Sequence, residues 1–295
     1  MAERFYYGGQ AVIEGVMMRG QKAMVTAVRR PGGGLATNTQ LLSRIYSGWM
    51  RQTSFIRGII VLVEALVLGV KALLYSANVS LEEEEEEVSG WLIWTIVAAS
   101  LVLAVFLFFI APLFLTKLLN IGSSLVFNLV DGVIRVAIFI VYLKVMTLIP
   151  DIKRLFAYHG AEHKAVNAYE AGVPLEAEAV RAYGKAHVRC GTSFMVVVLL
   201  ISIAVFALIG LHSAWLMALS RILLIPVIAA LSYEVIYFGS RHINNGLVRA
   251  LLAPGLWIQA LTTREPDNGQ LEVAISALKM VVEADQLKEE AQPSF

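Results

Sequence analysis

The stretch VSGWLIWTIVAASLVLAVFLFFIAPLFLT, residues 88–116, decides the class of this protein. It contains 29 residues without a charged side chain, whereas about 20 apolar residues are enough for a helix to cross the ~30 Å hydrocarbon core of a bilayer. Trp91 and Trp94 stand near its start, and tryptophan favours the membrane interface. The stretch therefore predicts a membrane-spanning helix near residues 92–116.

Three more apolar stretches follow, near residues 122–146, 192–211 and 214–237, and each predicts a further crossing. The composition agrees, since 58% of the 295 residues are hydrophobic and 16% are charged, against about 25% charged in soluble domains. The net charge of +1 argues against nucleic acid as a partner. We expect an α-helical integral membrane protein with about four transmembrane helices in residues 91–239, in contact with the lipid bilayer.

Residues 58–75 are apolar but carry Glu64 and Lys71, seven positions apart and therefore on one helical face. This pattern favours an amphipathic helix that lies on the membrane surface or packs against the bundle, over a further crossing. The helix belongs to a segment, 51–90, that also contains the acidic run 82–87. Such a run is typical of a solvated linker.

The basic residues predict how the chain is oriented. Lys and Arg number eight in residues 1–57, six in 150–191 and five in 239–295. With four crossings, these three regions lie on the same side of the membrane. The positive-inside rule makes that side cytoplasmic, and both termini lie there.

The two ends of the chain are expected to lie outside the hydrocarbon core. Residues 1–50 contain short apolar runs between Gly and Pro turns, which predicts a small β-rich cytoplasmic region, with three strands in our interpretation. In residues 240–295, the apolar stretch 244–263 is interrupted by an arginine and a proline, which favours an interfacial or re-entrant helix. Residues 272–290 have helical spacing and predict a solvent-exposed helix.

Residues 159–163, in the loop between the second and third crossings, read HGAEH. On a helix, His159 and His163 share one face and can bind the same metal ion, while Glu162 can activate a bound water. At 100° per residue, Glu162, His163 and Glu170 lie about −60°, +40° and +20° from His159. These four residues therefore form one polar stripe along the helix. The stripe predicts a metal site with both histidines as ligands, Glu170 as a further candidate ligand and Glu162 as the catalytic base.

The same five residues match the H-x-x-E-H motif of inverzincins. Two histidines and a carboxylate with an open fourth position form the usual hydrolytic zinc site. Zinc is therefore the divalent transition metal we expect, although such sites also accept manganese and iron. The loop 150–191 is too short for the soluble domain that surrounds this motif in the inverzincins, so the likeness would be one of local geometry.

His187 and Cys190 form a second group of candidates, three residues apart in HVRCGTSF, residues 187–194. Both could complete the metal shell. Cys190 could instead be a nucleophile that His187 activates. A third interpretation is that Cys190 begins a membrane helix as a small buried residue.

Charged residues inside the predicted spans form a third group. Asp131 and Arg135 stand four positions apart in the second crossing. Charges are costly in lipid, so the two residues are either functional or a salt bridge that fixes the helices. Glu234, near the cytoplasmic end of the last crossing, could complete the metal shell or pair with Arg241.

Four stretches together resemble the YqhQ-like family of uncharacterised bacterial multi-pass membrane proteins, often described as predicted metal-dependent enzymes. They are GGQAVIEGVMMRG at 8–20, YHGAEHKAVNAYE at 158–170, HVRCGTSF at 187–194 and LTTREP at 261–266. Val188 stands where the family commonly has proline. The resemblance implies a location in the bacterial cell membrane and a metal requirement, but no particular substrate.

Two functions are compatible with these patterns. The first is a metal-dependent hydrolase that acts at the cytoplasmic membrane face on a membrane protein or a lipid-linked substrate. The second is a non-catalytic scaffold or regulatory protein whose histidines hold a structural metal or form hydrogen bonds. A transporter is a weaker interpretation, because only Asp131, Arg135 and Glu234 suggest it and no inverted repeat is visible.

Overall fold

The computed structural model describes residues 7–43, 49–51, 53–82, 89–209 and 213–290. The chain is mostly helical, with one small antiparallel sheet near its start. The strands are β1 Gly8–Val12, β2 Gly15–Arg19, β3 Ala23–Arg29 and β4 Leu35–Leu41. The helices are α1 Ile56–Ser80, α2 Gly90–Lys117, α3 Ser124–Met146, α4 Pro150–Glu170, α5 Ala177–Arg181, α6 Gly191–Ala207, α7 Ala214–Leu223, α8 Ile225–Arg241, α9 Gly246–Thr262 and α10 Asn268–Glu290.

The predicted β region is confirmed as a sheet, but it has four strands in the order β1-β2-β3-β4 instead of three. Each strand pairs antiparallel with the next, and Met17, for example, stands opposite Thr26. Gly33 and Gly34 have positive φ values of 91° and 79° in the turn between β3 and β4, a conformation that glycine adopts without steric cost. This agrees with the prediction that Gly and Pro turns separate the short strands, and the fourth strand follows directly after the turn.

Helices cover both faces of the sheet. Alternate residues of a strand point to opposite faces, and β2 sends Met17 to one face and Val16 and Met18 to the other. The first face packs on Leu68 and Ala72 of α1. The second face packs on α4 and α10, through buried residues that include Tyr158, Ala161, Ala165, Leu271, Ala274, Leu278 and Val281. We call β1–β4 with α4 and α10 the sheet unit.

The prediction of a solvent-exposed C-terminal helix is wrong, because α10 buries most of its apolar side chains against the sheet and α4. Its Asp285 also accepts hydrogen bonds from the backbone N–H groups of Gln21 and Lys22, at 2.6 and 2.7 Å. The spacing of the apolar residues predicted the helix correctly. It could not show that a sheet formed more than 200 positions earlier would cover it.

The remaining long helices form an apolar bundle. Among the described residues, α2 and α3 are long and apolar enough to cross a membrane, and α7 with α8 qualifies if the two helices form one span bent by 45°. The bend precedes Pro226, which lies in the first turn of α8 and cannot donate a backbone hydrogen bond to the helix before it. The predicted crossing 192–211 corresponds to α6, which has only 17 residues.

Helix α1 is longer than the sequence indicated. It has 25 residues and is also long and apolar enough to cross a membrane. Its Glu64 is buried, however, and accepts a hydrogen bond from Arg19 of β2 at 2.9 Å and another from Arg51. The sheet thus covers the face of α1 that begins at Glu64 and continues to Val79.

Helix α1 and the sheet unit contact the bundle at several points. A Cβ on Gly90, the first residue of α2, would lie 3.7 Å from Leu74 of α1. At the other end of α1, Arg57 donates to Glu234 in the middle of α8, with 2.8 Å between Nε and Oε1. Helix α4 begins at Pro150, shortly after α3 ends at Met146, so the sheet unit is joined directly to the end of this bundle helix.

Candidate metal centre

Helix α4 carries HGAEH into the boundary between the sheet unit and the bundle. Ile149 is the residue before the helix, and Pro150 occupies its first turn, where a missing N–H costs nothing. The helix then buries ten of its side chains or backbone positions between Ala157 and Ala168. The predicted helical stripe is present and faces inward.

The two histidines of the motif are oriented by backbone carbonyl groups. Nδ1 of His159 donates to the carbonyl of Thr262 at 2.8 Å, and Nδ1 of His163 donates to the carbonyl of Lys185 at 2.5 Å. In each ring the Nε2 atom is left as the lone-pair donor. A carbonyl on the far nitrogen is the usual partner of a metal-binding histidine, because it fixes both the tautomer and the ring orientation.

Cys190 completes a compact group with these histidines. Its Sγ lies 3.3 Å from Nε2 of His159. One ligand atom each of His159, His163 and Cys190 lies within 4.8 Å of the other two. Cys190 and His163 are buried, so their ligand atoms are largely withheld from water.

The donor set suits a transition metal. Two imidazoles and a thiolate are typical ligands of zinc, and catalytic zinc sites use three protein ligands with a fourth position for water. Cys190 is also the N-terminal cap of α6, where its Sγ accepts a hydrogen bond from the N–H of Thr192 at 3.4 Å.

The structure changes the partner of Cys190. The sequence suggested His187 as its neighbour, three positions away, but His159 of α4 makes the contact. The third interpretation, that Cys190 begins a helix as a buried residue, is confirmed and is compatible with metal binding.

Glu162, the predicted base, lies beside the compact group. One of its carboxylate oxygens is 3.4 Å from Nε2 of His163, and the side chain is buried. Gly9 of β1 makes this possible, because a Cβ there would lie only 2.9 Å from Cγ of Glu162. The stretch 8–20, to which Gly9 belongs, thus forms the surface against which Glu162 packs.

Glu170 and His187 lie near the compact group but form a separate network. Glu170 accepts a hydrogen bond from Arg189, and its other oxygen is 3.7 Å from Nε2 of His187. Burial raises the pKa of Glu170, but the His187 hydrogen bond and the Arg189 charge outweigh it, so the pKa lies below its ordinary value. The ring centroids of His163 and His187 are 5.7 Å apart. His187 therefore lies beside His163 of the compact group, and Glu170 lies on the other side of His187.

Gln259 of α9 is a site residue that the sequence analysis missed. Its side chain accepts a hydrogen bond from the N–H of His187 at 2.9 Å and donates to the carbonyl of the same residue at 2.8 Å. It is 1% exposed, so this bidentate contact fixes the segment before Cys190 within the interior. Nothing in the local sequence marks a glutamine for this role.

The stretch LTTREP, residues 261–266, passes close to α4 at Gly160. The chain after α9 runs so close to α4 that a Cβ on Gly160 would lie 2.1 Å from the carbonyl oxygen of Arg264. The N–H of Arg264 also donates to the carbonyl of Phe156 at 2.9 Å. This close approach places the Thr262 carbonyl where it can hold His159.

The predicted polar residues of the bundle lie elsewhere. Asp131 and Arg135 form the expected ion pair, at 2.6 Å, and Arg221 joins them from α7 at 3.3 Å. Glu234 pairs with Arg57, and the Phe55 N–H donates to it at 3.0 Å. The suggestions that Glu234 completes the metal shell or pairs with Arg241 are therefore not what the structure shows.

All four motifs quoted from the sequence thus meet at this site. A family model described as "Protein of unknown function (DUF1385)" matches residues 53–284. The chain belongs to this family. It is also 33% identical over 308 residues to "Uncharacterized protein YqhQ" of Bacillus subtilis (strain 168), a match that covers 97% of this chain and 95% of that protein. The predicted resemblance is confirmed. No solved structure matches the chain.

Proposed function

We propose that this DUF1385 protein is a metal-dependent hydrolase at the cytoplasmic face of the bacterial cell membrane. The observation that carries the proposal is the compact group of His159, His163 and Cys190, with Glu162 beside it. Three ligands leave a position open on a tetrahedral ion, and a buried carboxylate adjoins the cluster. This is the arrangement of a catalytic site, whereas a structural zinc site has four protein ligands.

The outer surface of the bundle supports insertion into a membrane. Helix α2 has large apolar side chains that are exposed, among them Trp91 at 76% and Val102 at 71%. Exposed apolar surface on this scale favours lipid over water as its surroundings. The four crossings would then be α2, α3, α6 and the bent pair α7–α8. Helix α6 has 17 residues, which is the lower limit of about 17 for a transmembrane helix.

Helix α1 lies on the membrane surface in this proposal, despite its length. The sheet packs on its residues from Leu68 to Val79, and a spanning helix could not be covered by a sheet that carries charged Arg19 and Arg29. Its exposed apolar residues, which include Ile56, Ile59, Leu62, Val63 and Leu66, would enter the interface. The sheet unit, the basic segments and the termini then share the cytoplasmic side.

The residues of the site have distinct roles in this reaction. A bound divalent metal, zinc above all, would supply a polarised water and a Lewis acid. The Thr262 and Lys185 carbonyls hold His159 and His163 in position. Glu162 would accept the proton of the attacking water, since its carboxylate lies beside the ligand atom of His163.

The location of the site indicates the class of substrate. His159 and Cys190 lie where α4 of the sheet unit meets the first turn of α6. A substrate at this boundary would have one part in the bilayer and a scissile bond at its surface. Peptide bonds of membrane proteins and ester bonds of lipid-linked compounds both meet this description.

A second candidate function is a scaffold held together by a structural metal. The Glu162 carboxylate favours it, because an oxygen 3.4 Å from Nε2 of His163 is close enough to become a fourth ligand after a small movement. Four protein ligands would leave no position for water. The same residue thus decides between the two functions.

Cobalt substitution distinguishes the two functions without knowledge of the substrate. Purified protein is loaded with Co²⁺, and its visible absorption is recorded before and after addition of azide or acetohydroxamate. An open coordination position predicts that these ligands change the spectrum, because they displace bound water. An unchanged spectrum would indicate a closed shell and favour the scaffold.

Glu162→Gln is the decisive variant for this experiment. If Glu162 is the base, the variant keeps the cobalt–thiolate absorption and still responds to azide. A base of this kind contributes about 10²–10⁴-fold to the rate, so hydrolysis of a lipophilic p-nitrophenyl ester should fall to a similar degree. If Glu162 is a fourth ligand, the substitution instead alters the cobalt spectrum itself. Glu234→Gln, a carboxylate paired with Arg57 outside the site, is the matched control.

A further inference from the structure

Three charged side chains are buried together inside the apolar bundle, away from the metal centre. Asp131 and Arg135 belong to α3, and Arg221 belongs to α7. Their relative exposures are 1%, 0% and 1%. Oδ2 of Asp131 accepts hydrogen bonds from Arg135 at 2.6 Å and from Arg221 at 3.3 Å. One carboxylate oxygen therefore serves two guanidinium groups.

The charges of this cluster do not balance. Arginine stays protonated in proteins, so the cluster contains two positive charges and one negative charge. Within the part of the chain that the structure describes, the other side chains that accept from these arginines are neutral, since Arg135 donates to Oγ of Ser202 at 2.6 Å and Arg221 donates to Oδ1 of Asn128 at 3.2 Å. A buried charge without a counter-ion is strongly unfavourable in an apolar interior.

Several polar atoms of the cluster also lack partners. Nε of Arg135, Nε of Arg221 and Oδ1 of Asp131 are buried and have no hydrogen-bond partner among the described residues. Two of these three atoms are cationic N–H donors. Buried polar groups are normally satisfied by protein, water or a bound ion, so the cluster has donors available for an acceptor that carries negative charge.

The helices around the cluster are irregular. Helix α2 contains a π-helical turn, Phe106–Ile110, whose Phe109 ring lies 5.2 Å from the Arg135 guanidinium carbon. Arg221 itself lies just before the break between α7 and α8. Single π-helical turns and broken membrane helices are frequent at binding sites. In this bundle both irregularities occur beside the same pair of arginines.

We propose that this cluster binds one small monovalent inorganic anion, of which chloride is the natural probe. The anion would neutralise the excess positive charge and accept from the free Nε–H groups of Arg135 and Arg221. Phe206, whose ring centroid lies 5.0 Å from the Arg135 guanidinium carbon and 4.0 Å from that of Arg221, would form an apolar wall of the site. The site is independent of the metal centre and of the proposed hydrolase activity.

Thermal unfolding of the purified full-length protein tests this proposal. The Tm is measured in sodium chloride and in sodium gluconate at equal ionic strength, over a series of chloride concentrations. We expect a saturable rise of a few degrees that is specific to chloride, because a ligand that binds only the folded state stabilises it. Equilibrium dialysis with radioactive chloride should show a single bound ion per chain. Equal Tm values in the two salts together with no retained radioactive chloride would overturn the proposal.

Arg221→Gln removes the excess charge and keeps a hydrogen-bonding side chain. We expect it to lose the chloride-dependent shift and the bound chloride, while Arg249→Gln, at an exposed position of α9, behaves like the wild type. A chloride response that persists in Arg221→Gln would show that the ion binds elsewhere and would overturn the assignment. If this variant does not fold, the dialysis of the wild-type protein still decides whether an anion binds.

Discussion

Nε2 of His159 lies 3.3 Å from Sγ of Cys190, although the two residues are 31 positions apart in the chain. The contact joins the middle of α4 to the cap of α6. Helix α4 packs on the sheet and α6 belongs to the apolar bundle, so these two side chains connect the two parts of the molecule. A metal held between them would fasten the sheet unit to the bundle at the point where a membrane surface would lie.

Cys190 is the single cysteine of the chain, which makes its thiol a direct reporter of the site. We expect iodoacetamide to alkylate it slowly in the metal-loaded protein and faster after a chelator has removed the metal, because coordination occupies the thiolate. His159→Ala should raise the labelling rate in the presence of metal. The rates are measured by mass spectrometry of the intact protein.

His242→Ala is the control for the alkylation experiment, because His242 is exposed and contacts Phe238 instead of the site. It should leave the protection by metal unchanged. Equal labelling rates with and without metal in the wild-type protein would mean that Cys190 is not a ligand.

Gly160→Ala should be destabilising, although alanine is normally the better helix residue by about 0.8–1.0 kcal/mol. The new methyl group would lie 2.1 Å from the Arg264 carbonyl oxygen, and excess volume in a packed interior costs about 1–3 kcal/mol. The displaced segment includes Thr262, which orients His159. Loss of such an outer contact weakens metal binding by about 10–100-fold, which a competition titration with a chromophoric chelator can measure.

Gly246→Ala provides the matched comparison, because a Cβ at this first position of α9 would meet nothing within 4 Å. Its Tm and its metal affinity should remain close to those of the wild type. Equal behaviour of the two alanine variants would contradict the close approach of α4 and the segment after α9.

Alkaline pH should weaken the sheet unit through Tyr7. Burial, assisted by the Asp285 carboxylate, raises the pKa of Tyr7 well above its ordinary value. Because an unfolded tyrosine titrates near pH ~10, the unfolded chain loses this proton first as the pH rises. The stability that Tyr7 contributes is therefore complete below pH ~10 and declines above it.

Tyr7→Phe keeps the ring that contacts Tyr169, at 5.2 Å between centroids, and removes the titrating hydroxyl. The decline of Tm between about pH 9 and 11 should then be shallower than in the wild type. Parallel Tm curves for the two proteins would show that the Tyr7 hydroxyl does not govern the alkaline transition.

Local patterns predicted most of the helices, because apolar length and helical spacing are properties of a single segment. Long-range packing accounts for what they missed. The face of α10 with Leu278 and Val281 resembles that of a surface helix until the sheet is placed on it. Likewise, no local signal tells whether the apolar surface of α1 is covered by lipid or by the sheet, since both exclude water.

The sequence predicted those site residues whose spacing follows the helix period. It did not predict those that tertiary contacts bring to the site. His159 and His163 stand four positions apart, so a single helix places them together. Cys190 reaches them through the approach of α6, and its sequence neighbour His187 turns instead toward Glu170. Gln259 and the Thr262 carbonyl come from α9, and a backbone carbonyl leaves no trace in the residue pattern.

The most direct test of the metal centre is elemental analysis of the detergent-purified protein beside the His159→Ala/His163→Ala variant and the Glu234→Gln control. We predict about one equivalent of a transition metal per chain in the wild type and in the control, and none in the double variant. A wild-type protein that holds no metal even after reconstitution, or a double variant that retains it, would contradict the proposed centre. The histidines would then be hydrogen-bonded structural residues, and a membrane scaffold would be the function to pursue.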